Sequence, residues 1–168
     1  ENTLVLSLGT NKGDRLAYLL ATIQELEIHL GDSFLNSSIY ETAAWGEENQ
    51  AAFLNMAIVF ESQRRTQELL RQTQLIEKKI GRSKSKRWKE REIDIDIILH
   101  GQQIISSAIL QVPHNHFRDR QFVLKPLCEI LPNLIDPVGQ KSIAQLQLIC
   151  DDTLPIRKWL DRKKIVFY

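Results

Sequence analysis

Cysteine is scarce: Cys128 and Cys150 are the only two in 168 residues, and they share no C-x-x-C spacing. They build neither a disulfide framework nor a zinc knuckle, and both read as reduced packing residues. Charge of one sign is equally lacking. Lys and Arg number 22 against 21 Asp and Glu, a formal net charge of +1. No global field therefore draws the chain to nucleic acid or anionic lipid, and any anion site must be local. No apolar run approaches the roughly 20 residues that a bilayer crossing needs, which excludes a membrane span. The opening Glu1-Asn2-Thr3-Leu4-Val5 has no basic segment followed by an apolar one and reads directly into a strand, so the expectation is a cytoplasmic protein. Internal repeats and low-complexity stretches are missing too. What is present is ordinary globular composition, 43% hydrophobic and 26% charged, enough for one domain over 1–168 with one core.

Hydrophobic periodicity then orders the chain. Leu4, Leu6 and Leu8 alternate with smaller or polar residues, the period-two mark of a strand with one face in the core. From Asp14, Leu16, Leu19, Leu20, Ile23, Leu26 and Leu30 recur at helical steps until Gly31-Asp32. Ser33 to Thr42 reads as a second strand and Ala43 to Ala51 as a loop. Phe53 to Phe60 is a strand with Leu54, Met56, Ile58 and Phe60 on one face and Phe53, Asn55, Ala57 and Val59 on the other. Thr66 is expected to cap a second helix with a Leu69, Leu70, Thr73, Ile76, Ile80 stripe, and Gly81 to end it in the left-handed conformation. A basic loop over 82–91 precedes a strictly alternating strand from Glu92 to Leu99, and Gly101-Gln102-Gln103 turns it toward a partner near Ile104. Short helices are expected over 118–130 and 142–150, and a helical turn or edge strand in the tail from Trp159. The order strand, helix, strand, strand, helix, strand predicts an α+β fold: a ferredoxin-like β-α-β-β-α-β core, its helices packed on one face of a mainly antiparallel sheet, with C-terminal helical additions.

The chemistry concentrates in Arg91-Glu92-Ile93-Asp94-Ile95-Asp96-Ile97. Residues two apart on a strand share a face, so Asp94 and Asp96 project together, roughly 6.6 Å apart along the chain. Such a pair is either the wet side of an amphipathic strand or a seat for metal. Aspartate is disfavoured in strands, and two side by side repel unless positive charge lies between them. Magnesium takes hard oxygen ligands and completes its shell with water and phosphate, and the cationic run Lys78 to Arg91 lies just ahead. That run, closing over a polyphosphate from a hinge at Gly81, explains the charges better than single-stranded RNA binding, for which the chain has no aromatic RNA-binding strand. Gly9-Thr10-Asn11 at a strand-to-helix junction is a weak anion-site signal. His114-Asn115-His116 reads as structural or phosphate-contacting ahead of metal-binding. Phosphate-loop, dinucleotide and covalent-nucleophile motifs are all missing.

Taken in order from about residue 4 to 150, further residues join these: Tyr40-Glu41-Thr42, Gly46, Gln50, Phe53-Leu54-Asn55, Gln74, Glu77, Gly81-Arg82, Val112-Pro113-His114, Arg120 and Phe122. The whole set resembles the 6-hydroxymethyl-7,8-dihydropterin pyrophosphokinase family. The resemblance implies transfer of the β,γ-diphosphoryl group of ATP to a pterin alcohol in folate biosynthesis, with release of AMP. It implies that Asp94 and Asp96 bind two magnesium ions and that Arg82 and Arg91 act with them at the polyphosphate. Gln74, Glu77, Lys84, Trp88, Ile97, His114, Arg118 and Arg120 would bind ATP. Thr42, Ala43, Trp45, Gly46, Phe53, Asn55 and Phe122 would form the pterin pocket, the two phenylalanines sandwiching the ring. The expected partners are these small molecules, with no nucleic acid or membrane and a monomeric chain.

The implied mechanism is in-line attack of the pterin hydroxymethyl oxygen on the β-phosphorus, driven by positioning and charge neutralisation. Two other readings of the residues stand beside it. One is a different two-metal nucleotidyl transferase, which would release pyrophosphate or a cyclic nucleotide; the other is a noncatalytic ferredoxin-like nucleotide-binding module, which would not turn over. The chain departs from the family pattern at Lys89-Glu90-Arg91, where Gly-Pro-Arg is common, and at Ala43-Ala44-Trp45, where a proline pair is frequent.

Overall fold

The computed structural model describes residues 2–43, 51–81 and 92–165. Its centre is β1 (Thr3–Thr10), flanked by β4 (Phe53–Glu61) and β5 (Asp94–His100), each antiparallel to it. Outside β4 lie β3 (Ile39–Thr42) and then β8 (Ile156–Leu160), giving the order β5-β1-β4-β3-β8, with the short β2 (Leu35–Asn36) also pairing with β4. Since β1 and β3 both run against β4, they are parallel to each other and α1 (Arg15–Leu30) makes the crossover between them; α2 (Thr66–Ile80) joins β4 to β5. This is the ferredoxin-like core that the element order predicts.

Alternation divides the sheet into two faces. Leu4, Leu6, Leu8, Leu54, Met56, Ile58, Phe60, Ile95 and Ile97 pack with Leu19, Ile23 and Leu26 of α1 and Leu69 and Ile76 of α2. The other face also needs cover: Val5, Ala57, Val59, Ile98 and Leu99 pack under α3 (Gln121–Ile130) and α4 (Ile143–Ile149). Helices therefore lie on both faces, a correction to the one-sided expectation. Burying each large side chain of these clusters is worth about 1.5–3 kcal/mol relative to exposure, and Phe60 and Phe117 are fully buried.

Several local expectations change for identifiable reasons. The strand expected over 33–42 breaks in two at Ser37-Ser38. There Ser37 Oγ accepts Ala57 N–H (2.9 Å) and donates to Ser38 O (2.7 Å), supplanting ladder bonds. Thr66 does not cap α2. It is the first helical residue, and its hydroxyl lies 2.8 Å from His100 Nδ1 and donates to Gln103 Oε1 (2.7 Å), while Arg65 at the cap position makes no side-chain bond. Gly81, at φ +109°, ends the helix in the left-handed region as expected. The alternation of β5 is broken by a register shift opposite Val5/Leu6: Ile97 faces Leu6 and Leu99 faces Val5, so Ile98 is extra. Past Gly101, β6 (Ile105–Ser106) pairs with β7 (Gln111–Val112), not with β5. The tail supplies both expected forms, the edge strand β8 and a short helical turn over Arg162–Lys164. Cys128 and Cys150 are free thiols.

Candidate active site

On the face that α3 and α4 cover, the polar residues of the sheet gather at one end, beyond the apolar cluster. Antiparallel partners share a face, so the register sets Asp94, Gly9, Asn55 and Tyr40 side by side in one row, with Asp96 beside Ser7 in the next and Thr42 beside Phe53 at the rim. Asp94 lies two strand spacings from Asn55, roughly 10 Å. Asp94 and Asp96 are half-buried on this face, whereas Ile95 and Ile97 between and beyond them are in the opposite core.

Asn55 is 3% exposed and donates from Nδ2 to Thr42 Oγ1 at 3.0 Å, with Thr42 itself 4% exposed. The bond orients the amide, and it puts Oδ1 over the strand next door. A Cβ at position 9 would stand 2.9 Å from that oxygen, so only glycine fits beneath Asn55. Gly9-Thr10-Asn11 is thus a packing motif. Gly9 and Thr10 belong to β1, the first turn of α1 is capped by Asp14 Oδ1 on Ala17 N–H (3.0 Å), and Asn11 Nδ2 donates to Ala51 O (3.3 Å). Arg15 Nη1 donates to Ala52 O (2.7 Å) and to Glu41 Oε2 (3.0 Å), and Glu41 is also bound by Arg157. These contacts hold the chain just ahead of Phe53. Phe122 sits in the first turn of α3, half-buried against the Val5, Ala57 and Val59 cluster, with Arg120 Cζ 5.6 Å from its ring centroid.

The β5 side forms a second zone. β5 ends the sheet path, so alternate main-chain groups point away from β1. One is capped: Ile95 N–H donates to Glu77 Oε1 at 2.8 Å, and Glu77, on α2, is only 6% exposed. The same alternation turns the Ile97 main chain to that edge, while its side chain is buried in the α1/α2 core. Gln74 stands exposed on α2, one turn before Glu77. His114 closes the edge, its N–H donating to Ile98 O (2.9 Å). Burial first, then the charges of Arg120 and His116, push its imidazole down to about 4, so the ring is neutral at pH 7. His116 N–H donates to His114 Nδ1 (3.2 Å), which leaves the ring proton on Nε2, a donor without charge. Arg118 turns away toward Asp136, with Nε to Oδ2 at 2.6 Å and Nη2 to Oδ1 at 2.7 Å.

The sheet end therefore brings together Thr42, Phe53, Asn55, Asp94 and Asp96, with Glu77, Gln74, Ile97 and His114 on the β5 side and Arg120 and Phe122 at the start of α3. Ala43 is exposed at the edge of the described segment. Trp45, Gly46, Arg82, Lys84, Trp88 and Arg91 lie outside the described residues. Among the described residues no group of three or more His, Cys, Asp or Glu side chains could hold a metal. Two carboxylates alone suit a cation that completes its shell with water and phosphate, so the donor set fits magnesium. Sequence reasoning missed two acceptors, the buried Asp136 and the half-buried Glu129. Asp136-Pro137-Val138-Gly139 is a turn signal that marks the first, and nothing local marks the second.

Fold and face together define a ferredoxin-like transferase domain with an acidic pair beside an aromatic and amide pocket. Comparison with known proteins narrows this. Residues 5–132 match the family model described as 7,8-dihydro-6-hydroxymethylpterin-pyrophosphokinase (HPPK), and the chain belongs to that family. It is 41% identical over 145 residues to the 2-amino-4-hydroxy-6-hydroxymethyldihydropteridine pyrophosphokinase of Aquifex aeolicus, covering 86% of this chain and 90% of that protein. With the enzyme of the same name from Bacillus subtilis it shares 42% identity over 131 residues, 77% of this chain and 78% of that one. Among solved structures, Plasmodium falciparum HPPK-DHPS superposes with a TM-score of 0.72 at 16% identity, over 88% of this chain and 44% of that longer one, a likeness of fold. The activity is that of an ATP-dependent pyrophosphokinase of folate biosynthesis. No described helix is long and apolar enough to cross a membrane.

Proposed function

We propose that this polar end of the sheet is the transfer site, with the pterin above Gly9 and the triphosphate beside β5. The observation that carries this reading is the shared row: Asp94 and Asn55 flank Gly9 on one face, about two strand spacings apart, a separation that seats a ring and a phosphate chain next to each other. Phe53 and Phe122 offer two apolar faces to a flat heterocycle, and Asn55, oriented by Thr42, reads its amide edge. Ala43, Trp45 and Gly46 complete the pocket.

ATP lies along the β5 margin. The main chain of Ile97 and the side chain of Gln74 meet the base, Glu77 holds the edge beside it, and Lys84 and Trp88 join from the basic loop. His114 Nε2–H and the Arg120 guanidinium meet the phosphates, and Arg82 and Arg91 act on the charge that develops there. The hydroxymethyl oxygen attacks the β-phosphorus in line. An O–P bond forms as the hydroxyl gives its proton to Asp96, the bond to the bridging oxygen of the α-phosphate breaks, and AMP leaves with that oxygen. Asp94 and Asp96 would hold two magnesium ions, which when bound would neutralise charge on the phosphate oxygens. On this reading the chain is one domain over 1–168, monomeric and cytoplasmic, with small molecules as its only partners.

Incubation with ATP, magnesium and the dihydropterin alcohol tests the assignment of chemistry. AMP is expected to appear in step with pterin diphosphate; release of pyrophosphate or cyclic nucleotide overturns it.

A further inference from the structure

Between His114 and Arg120 the chain makes a tight turn in which Phe117 N–H donates to His114 O (3.3 Å) and Asp119 N–H to His116 O (3.2 Å); Arg120 O then accepts the first helical bonds of α3. Arg118 sits in the middle of this turn, and its surroundings differ from those of Arg120. Its fork is spent on both oxygens of Asp136, and its guanidinium lies over the Phe117 ring at 4.6 Å. Asp136 is 0% exposed and is further held by Val138 N–H (3.1 Å) and Gly139 N–H (2.9 Å). A Cβ at Gly139 would come within 2.5 Å of Asp136 Oδ2, so the cradle closes only around glycine. Burial alone would raise the Asp136 carboxyl; the bonds from Arg118, Val138 and Gly139 overcome this and hold it below the usual aspartate value.

We infer that Arg118 and Asp136 are a positioning pair for nucleotide binding: they clamp the turn that presents His114 and Arg120, and Arg118 itself does not touch ATP. The electrostatics favour this. A guanidinium in bidentate contact with a carboxylate presents a dipole to a phosphate, not a net positive charge. Arg120 pairs with no carboxylate among the described residues and stacks on Phe122 instead, so its charge is available. A buried ion pair adds little stability over an apolar pair of the same shape, and its best-attested use is to specify geometry. Here that geometry is the path from His114 to the first turn of α3. The inference rests on the reading of His114 and Arg120 as phosphate contacts.

A double-mutant cycle on the full chain tests it, with equilibrium binding of α,β-methylene-ATP plus magnesium and the pterin KM as readouts. Arg118→Gln and Asp136→Asn are each expected to weaken analogue binding about tenfold to a hundredfold, as for a small misplacement of contacting groups. The double variant is expected to be no weaker than the worse single one, with the pterin KM unchanged. Gly139→Ala, whose Cβ would press on Asp136 Oδ2 at 2.5 Å and reach Arg118 Nε only at an ordinary contact distance of 3.8 Å, reproduces the loss, and so does Arg118→Lys, which keeps the charge but breaks the fork. The inference is overturned if Arg118→Gln weakens binding while Asp136→Asn and Gly139→Ala do not, if Arg118→Lys binds normally, or if the single effects add. Arg120→Ala and His114→Ala measured alongside separate the two readings. If they leave binding intact, the phosphate assignment fails and the clamp with it; if they weaken it while the clamp variants do not, only the clamp fails.

Discussion

Glu77 Oε1 accepts the main-chain N–H of Ile95, the residue that separates Asp94 from Asp96. A side chain on α2 thus pins the outer edge of the strand midway between the two acids. Removing it leaves a buried N–H unsatisfied, at a cost of about 1–3 kcal/mol. Glu77→Ala is expected to lower stability in urea by about that amount and to reduce kcat, because the acidic pair loses its outer support. Glu77→Gln keeps a carbonyl acceptor and is expected to lose much less stability; equal losses in both variants would count against the capping role.

At the pterin side, Gly9→Ala places a methyl group against Asn55 Oδ1, whose amide is already tied to Thr42. The amide must rotate or withdraw. The pterin KM is expected to rise by about tenfold or more while the affinity for ATP stays within about twofold, since one hydrogen-bonding edge is lost and the β5 margin is untouched. Isothermal titration with each substrate separately distinguishes this from general destabilisation.

Asp94→Asn and Asp96→Asn keep volume and remove charge. Each is expected to slow diphosphoryl transfer by at least about a hundredfold, the scale seen when a charge-stabilising group is taken from a polar transition state. Pterin binding is expected to change little. Near-normal turnover in both variants, measured as AMP release at saturating magnesium, would overturn the metal assignment.

His114 makes a separate prediction about pH. Its folded pKa, about 4, lies below the ordinary histidine value of 6.5, so between those limits the unfolded chain binds a proton that the folded chain does not. Stability contributed by the neutral ring is fully present above pH 6.5 and is lost as pH falls through that window toward 4. Asp136 and Glu129, both held low, lose their contribution at more acid pH, below the ordinary carboxyl values of 3.8 and 4.5. His114→Gln is expected to flatten the stability profile between pH 6.5 and 4 and to leave the steeper acid limb unchanged, as read from urea midpoints across pH.

Much of this site is legible in the sequence because it rests on period two. Leu54, Met56, Ile58 and Phe60 alternate with Phe53, Asn55, Ala57 and Val59, and the two sets do fall into opposite faces. Asp94 and Asp96 are on one side of β5 for the same reason. What stayed hidden depends on partners distant in the chain. Glu129, which accepts Ser38 N–H and the Ser38 and Tyr40 hydroxyls and binds Lys158, lies 91 residues from Ser38. Its position in α3 shows nothing of that hub. The second helical layer was equally concealed, since Val5, Val59 and Leu99 look the same whether a helix or solvent lies above them until α3 is placed. Thr66 misled because a threonine ahead of an apolar stripe has two uses, and here His100 and Gln103 claim its hydroxyl.

The extra residue in β5 has a consequence beyond local shape. Ahead of Ile98 the strand carries the two acids; after it, Leu99 lies under α3 and His100 reaches Ser62 and Thr66 beside α2. Because the step lets two successive side chains, Ile98 and Leu99, both join the α3 layer, deleting Ile98 would leave Ile97 opposite Leu6, Leu99 opposite Val5 and His100 opposite Leu4, each on its present face. Deleting Ile95 would instead carry Asp94 over to the oily side under α1 and α2, so this strand tolerates a loss of length at the step and not ahead of it.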